Sequence, residues 1–279
     1  MSYKTKQKLF KILFIIGIVV IVVFLFFPFY WLFISSLKDE NELYRMPPTW
    51  IPKNPVWSHY VEIFKEYNLM TYIRNSLIVA GLTTIISIII AAPASYALAK
   101  FKMKGKNLIL SMVLSVSMFP GIVIVSPLYL AFREMRLINT YMGLVIPYLT
   151  FSLPLSIWIL NTFFKQIPNE LNEAAAIDGA GPFRTMIQVV MPLAAPGVFT
   201  TAILTFIAAW NEFLFALIFM TDKEKYTVPV GLTMFQGAHT IRWDLIASAT
   251  VVITVPLIIM VLILQRWIVA GLTAGAIKD

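Results

Sequence analysis

A chain of 279 residues that is 59% hydrophobic and 13% charged has too little polar surface for water, where an ordinary domain carries about a quarter charged residues. The formal charge of +8 would fit a nucleic-acid binder if Lys and Arg shared one soluble face, but they fall between long apolar runs, a pattern of membrane orientation. With no Cys, and with His59 and His239 as the only histidines, the chain lacks the material for a disulfide, a thiolate nucleophile, a Cys- or His-based metal centre or a Ser-His-Asp triad. No Walker-type, His-Glu-x-x-His or Gly-x-Ser-x-Gly sequence occurs, so any ATP hydrolysis belongs to another chain.

A helix crossing ~30 Å of hydrocarbon needs roughly 20 mostly apolar residues. Six segments qualify and predict spans near 12–37, 73–99, 107–132, 141–164, 196–220 and 245–268, an all-α integral membrane fold. Residues 1–11 precede the first span and 269–279 follow the last. Lys4, Lys6, Lys8 and Lys11 resemble the start of a signal peptide, but the apolar run behind them far exceeds a signal core of about 7–15 residues. Phe33-Ile34-Ser35-Ser36-Leu37 also lacks a small-x-small cleavage site, so the segment is expected to stay as the first helix.

The connections then alternate. Arg45, Lys53 and Lys65 in 39–71 are offset by Asp39, Glu40, Glu42, Glu62 and Glu66, which places that segment outside. Trp50 and Trp57 with Pro47, Pro48, Pro52 and Pro55 predict either a rigid outer cap or a loop with an aromatic belt. Lys100, Lys102, Lys104 and Lys106 place the next connection in the cytoplasm with the N-terminus, and an even number of spans returns the C-terminus to that side. Segment 165–195 then lies inside and 221–244 outside. Pro28, Pro93, Pro120, Pro127, Pro147, Pro154 and Pro256 fall within spans, where proline removes a backbone donor and kinks a helix.

Inside segment 165–195, Pro168 and Asn169 are helix-start signals, strong helix formers follow, and Gly179 with Gly181-Pro182 is a stop. The pattern predicts a short cytoplasmic helix. Ala174 and Ala175 permit close backbone approach, with Leu171 and Ile177 on neighbouring faces. Such a surface suits either a partner's groove or the membrane surface. Asp178 sits where the macrodipole disfavours negative charge, so a bond to the following amides or to Arg184 is expected.

Glu173-Ala174-Ala175-x-x-Asp178-Gly179-Ala180, followed by Pro192, resembles the EAA motif of ATP-binding-cassette (ABC) importer permeases. Asn75-Ser76-Leu77, Ala94-Ser95-Tyr96-Ala97-Leu98-Ala99, Pro127-Leu128-Tyr129, Trp210-Asn211-Glu212-Phe213 and Gly271-Leu272-Thr273-Ala274-Gly275-Ala276 are similar to its carbohydrate branch, in particular to the smaller permease subunit of maltose-type importers. The resemblance, over roughly 10–279, implies a six-span type I permease. It also implies an ATPase-coupling loop at 169–183 that uses Glu173, Ala174, Ala175, Asp178, Gly179, Ala180, Gly181 and Arg184. The implied partners are a second homologous permease, two cytoplasmic ATPases that hold the ATP and Mg, and an extracytoplasmic sugar-binding protein. The chain itself is expected to bind no cofactor or metal, to catalyse no bond chemistry, and to sit in the plasma membrane of a bacterium or archaeon. The expected cargo is a disaccharide or oligosaccharide, with an α-glucoside favoured and a polyol or glycerol-phosphate not excluded.

Glu212 stands inside the expected fifth span, and an intramembrane carboxylate is a functional candidate by default. Trp210 could stack on a pyranose while Asn211 and Glu212 bind hydroxyls, with Tyr129 and Trp158 as weaker candidates; the competing reading is helix-to-helix packing. A gradient-driven carrier or channel would need a relay of buried charges, and essentially Glu212 alone is present. A membrane enzyme would need a convergent polar cluster, which two isolated histidines do not supply.

Overall fold

The computed structural model describes residues 3–236 and 241–274; His239, Gly275 and Ala276 lie outside them. In chain order the α-helices are α1 Tyr3–Ser36, α2 Glu40–Leu43, α3 Ser58–Lys65, α4 Leu69–Lys100, α5 Lys106–Val116, α6 Gly121–Glu134, α7 Tyr141–Gln166, α8 Glu170–Ile177, α9 Pro182–Thr185, α10 Met191–Leu193, α11 Ala195–Trp210, α12 Leu214–Phe219, α13 Val228–Gly231 and α14 Trp243–Ala274. A π-helical turn, Met186–Val190, joins α9 to α10. Two compact units are distinguished, Met1–Asn68 with Met234–Thr254, and Leu69–Thr233 with Val255–Asp279.

In the first unit the apolar stretch of α1, Phe10–Ser36, has no buried residue in its most hydrophobic window. The chain beyond it packs around Lys38 and Glu42, while Trp50 and Trp57 each stay 60% exposed, an arrangement that fits both a cap and an aromatic belt. Lys38 is fully buried; its Nζ donates to the Thr49 carbonyl and lies 4.6 Å from the centre of the Trp31 ring. Burial pushes its ammonium below the ordinary range, against the attraction of Glu42. Glu42 accepts from Thr49 Oγ1 at 2.7 Å and from the Lys53 amide at 3.1 Å. Trp50 closes over Phe27 and Trp31, with ring centres 6.1 and 5.9 Å away.

A second polar network in the same unit joins α3 to the start of α14. Arg242 pairs with Asp244 at 2.7 Å and with Glu62 at 3.3 Å, and Asp244 lies 3.3 Å from Nε2 of the buried His59. The hydrogen bond to Asp244 raises the Arg242 pKa above its ordinary value, so the guanidinium is a permanent cation. Sequence alone scattered these four residues over two connections that it places outside; folding makes them one charge cluster.

The second unit is built around α4, α7 and α11. Ala91, Ala92 and Ser95 let α4 approach Ile157, Leu160 and Phe164 of α7 closely, as small residues do where no hydrophobic force drives helices together in lipid. A polar seam runs through the contact. Ser87 and Ser156 hydroxyls are 2.9 Å apart, Ser156 and Thr205 are 3.1 Å apart, and Ser95 Oγ donates to the Ile157 carbonyl at 2.9 Å. Each such bond contributes roughly 0.6 kcal/mol in a membrane bundle.

Among the described residues four helices are long and apolar enough to cross a membrane, and up to six passes result when each of two bent pairs counts as one. The expected span 107–132 is α5 and α6 meeting at 81°, with Pro120 extended at the corner. The second bent pair was not foreseen: Pro182–Leu193 meets α11 at 85°, at Ala194, just before the Ala195-Pro196 step that disfavours helix. The expected span 196–220 is also not one helix. It ends at Trp210 and resumes at Leu214. Pro93, Pro127, Pro147, Pro154 and Pro256, by contrast, stay inside helices.

Candidate functional site

Two places in the second unit carry the residues that the sequence singled out. At one end of α4 and α7 lies α8. Its chain reversal is a Schellman closure: the Ala180 amide donates to the Ala175 carbonyl at 2.8 Å and the Gly179 amide to the Ala176 carbonyl at 3.0 Å. Gly179 has φ +80°, the left-handed conformation that glycine adopts without cost, and Gly181 then opens α9.

The closed loop is fastened from below. Lys100 Nζ donates to the Ile167 carbonyl and, at 3.2 Å, to Asn169 Oδ1; the Tyr96 hydroxyl donates to Asn172 Oδ1 at 3.1 Å. The buried cluster beneath includes Tyr96, Phe164, Ile167, Met186 and Val190. Tyr96, Lys100 and Asn172 were not picked out as loop anchors from sequence. The only signal was that a Tyr and a Lys close an apolar run.

This anchoring divides the expected coupling face. Ala174 is exposed with Glu173, but Ala175 is 8% exposed and packs inward, so it supports the loop and presents nothing outward. Successive residues of a helix turn by 100°, and the side taken by the bundle claims Ala175. The outward apolar groups include Ile177, 87% exposed, Phe183, 66% exposed, and Leu171, 39% exposed. Asp178 does not meet Arg184, whose Nε donates instead to Gln188 Oε1 at 2.8 Å, one turn further on. The carboxylate of Asp178 is left exposed beside Ile177.

The second place is the interruption after α11. Asn211 ends the helix, its Nδ2 donating back to the Ile207 carbonyl at 2.9 Å. Glu212 starts the next one by accepting from the amides of Phe215 at 3.0 Å and Ala216 at 3.3 Å. A carboxylate thereby satisfies donors that the N-terminus of α12 leaves orphaned, so Glu212 is fixed in place without a cation.

Glu212 lines a cavity of about 270 Å³ together with Phe119, Gly121, Tyr148, Phe151 and Ser152. Trp210 does not line it. That residue is 2% exposed and stacks on Phe206, ring centres 5.8 Å apart. Tyr129 packs towards Phe219 at 6.1 Å, and Asn211 is taken up by its own helix. Trp158 is 45% exposed, so of the five pathway candidates Glu212 alone lines this cavity, and the structure adds Tyr148, which an apolar run had hidden. Asn75 and Ser76, noted for resemblance only, hold the opposite end of the unit: Asn75 Nδ2 donates to the carbonyls of Glu224 and Tyr226, and Ser76 Oγ accepts from the Val228 amide.

Apolar passes, two of them broken, with a short exposed helix clamped to the bundle, define a multi-pass membrane permease. The family model of the binding-protein-dependent transport system inner membrane component matches residues 84–274, and the chain belongs to that family. It is 42% identical to the trehalose/maltose transport system permease protein MalG of Thermococcus litoralis over 96% of this chain and 97% of that one. It is also 42% identical to the sulfoquinovosyl glycerol transport system permease protein SmoH of Agrobacterium fabrum, over 90% and 88%. A crystal structure of a bacterial ABC transporter that imports alginate aligns with TM-score 0.81 at 20% identity, covering 96% of this chain and 99% of that one, and shares its fold. The chain is thus an all-α type I ABC importer permease.

Proposed function

We propose that this chain is one of two homologous permeases in an ABC importer that carries a disaccharide or oligosaccharide, with an α-glucoside favoured, by alternating access. Two cytoplasmic ATPases bind the ATP and Mg and do the hydrolysis, an extracytoplasmic binding protein delivers the sugar, and this subunit holds no cofactor of its own. The carrying observation is the loop at 169–183: a helix closed by Gly179 at φ +80°, clamped by Lys100 and Tyr96, with Ile177 exposed and unpartnered. An exposed Ile on a firmly held helix is built for a partner's groove. The relatives named for trehalose/maltose and sulfoquinovosyl glycerol transport support a carbohydrate cargo.

The test is reconstitution with the cognate permease, ATPase and binding protein. ATP hydrolysis should rise at least fivefold with binding protein plus maltose or trehalose. Hydrolysis indifferent to every disaccharide tried would end the carbohydrate reading.

The proposed topology places 1–11, 100–106, 165–195 and the C-terminal tail in the cytoplasm. It is supported by α4, whose Lys100 end holds 167–172 while its Asn75 end holds 224–228. Because the chain has no Cys, Lys104→Cys should react with an impermeant maleimide only after cells are permeabilised. Labelling in intact cells would invert the assignment.

A further inference from the structure

Two groups in the cavity beside α12 are poised for a ligand that the coupling function does not explain. Tyr148 is 3% exposed and lies close enough to Glu212 to interact with its carboxylate, yet among the described residues its hydroxyl makes no hydrogen bond of normal geometry. A buried hydroxyl left without a partner is destabilising, which makes it a group for a ligand to satisfy. Glu212 is held by two backbone amides, which occupy part of its capacity to accept; a carboxylate offers about four lone-pair sites. A donor and an acceptor thus stand together in the wall of one cavity, neither satisfied by the other with normal geometry.

The remaining walls decide the chemistry. Phe119, Phe151 and Phe215 supply ring surface, Ala208 and Ala209 keep the space open, and Ser152 spends its hydroxyl proton on the Tyr148 carbonyl at 2.7 Å. Aromatic surface beside one donor and one acceptor matches a pyranose, whose ring carbons are apolar and whose hydroxyls both give and take hydrogen bonds. A simple cation would find one carboxylate and no further anionic oxygen; an anion would meet Glu212 directly. The volume of about 270 Å³ is near the lower end of ligand cavities, room for one ring.

We propose that the cavity between α7 and the α11–α12 interruption is a subsite for a single uncharged sugar ring, whose hydroxyls bridge Tyr148 and Glu212. This rests on the importer reading and assigns the cargo a contact on this subunit. Sequence pointed to Glu212 but paired it with Trp210; the partners are Tyr148 and the phenylalanines.

The experiment uses the complete importer in proteoliposomes, with maltose and trehalose as probes. Glu212→Gln keeps an acceptor for α12 but weakens the bond to a hydroxyl, and should raise the transport KM at least tenfold with Vmax within about threefold. Tyr148→Phe should raise it about three- to tenfold. Separately, Ser152→Cys, the sole thiol in this chain, should be alkylated at least threefold more slowly when sugar-loaded binding protein and a non-hydrolysable ATP analogue are present than with sugar-free binding protein under the same conditions. Both the KM change and the protection are required. If the parent transports sugar but either is missing, the subsite is overturned. Lowered yield and thermal midpoint at unchanged KM would make Tyr148 and Glu212 a brace for α12 alone. A parent that transports no sugar overturns the importer reading and the subsite with it.

Discussion

Replacing Gly179 by Val is expected to leave the protein in the membrane at normal yield while reducing sugar-stimulated ATP hydrolysis at least tenfold. Apart from its own residue and its two chain neighbours, no described atom lies within 4 Å of where a Cβ would stand, so the effect does not come from a clash. It comes from φ +80°, which costs an L-residue about 1–2 kcal/mol and a β-branched one more. That energy corresponds to a factor of about 5–30 in the population of the closed loop. Losing the Gly179 to Ala176 and Ala180 to Ala175 bonds frees the last turn of α8, and Ile177 with it. Ala174→Trp should uncouple by a different route, by bulk on the exposed side. Ala175→Trp should instead lower folded yield, because Ala175 packs inward. Copurification of the ATPase, stimulated hydrolysis and uptake are compared with the parent. Full stimulation in both Gly179→Val and Ala174→Trp would remove the loop as the energy-coupling contact.

A larger loss of folded protein is expected from a single methyl group at Gly143. Thr140 caps α7 by accepting from the Gly143 amide at 3.1 Å, and the preceding turn passes so close that a Cβ on residue 143 would stand 2.2 Å from the Leu137 carbonyl oxygen. The obstacle is backbone, in a turn where Arg136 and Asn139 already hold φ of 56° and 61°. Overpacking of this kind costs about 1–3 kcal/mol where side chains can yield, and more where they cannot. Gly143→Ala should therefore reduce the yield of assembled complex to below about a fifth. Gly81→Ala, with open space around its Cβ, should be neutral or slightly stabilising, since Ala is about 0.5–1 kcal/mol better inside a helix. The two variants purified in parallel decide it; equal yields would mean that the turn before α7 gives way.

The closure of α8 was legible in sequence because it depends on local chemistry: helix formers followed by a Gly at the stop. Which side of α8 faces out was not. Over eight residues the small and apolar groups are spread around the helix, and only the clamps from Tyr96 and Lys100, about seventy residues away in the chain, choose the side. The corner at Pro120 was marked by its proline. The interruption after Trp210 carries neither Gly nor Pro, and its signal was the Asn211-Glu212 pair, two side chains that can serve as the end of one helix and the start of another. Hydropathy reads straight through that pair. It also hides Tyr148, since one aromatic hydroxyl barely changes an apolar run. The charge cluster around Arg242 was invisible for a third reason: Glu62 and Arg242 are 180 positions apart.

The largely uncovered first helix bears on biosynthesis. Phe10–Ser36 has a mean hydropathy of 3.3 in its best window, and no residue of that window is buried. At roughly 0.3–0.6 kcal/mol in favour of lipid for each Leu, Ile, Val or Phe near the middle of a span, it can leave the translocon as soon as it is made. The broken segments cannot: α5 and α12, of 11 and 6 residues, are each too short to cross alone, and their free ends need shelter from α7 and its neighbours. A segment that anchors itself therefore precedes the incomplete ones and must hold them near the membrane until α7 emerges to receive them.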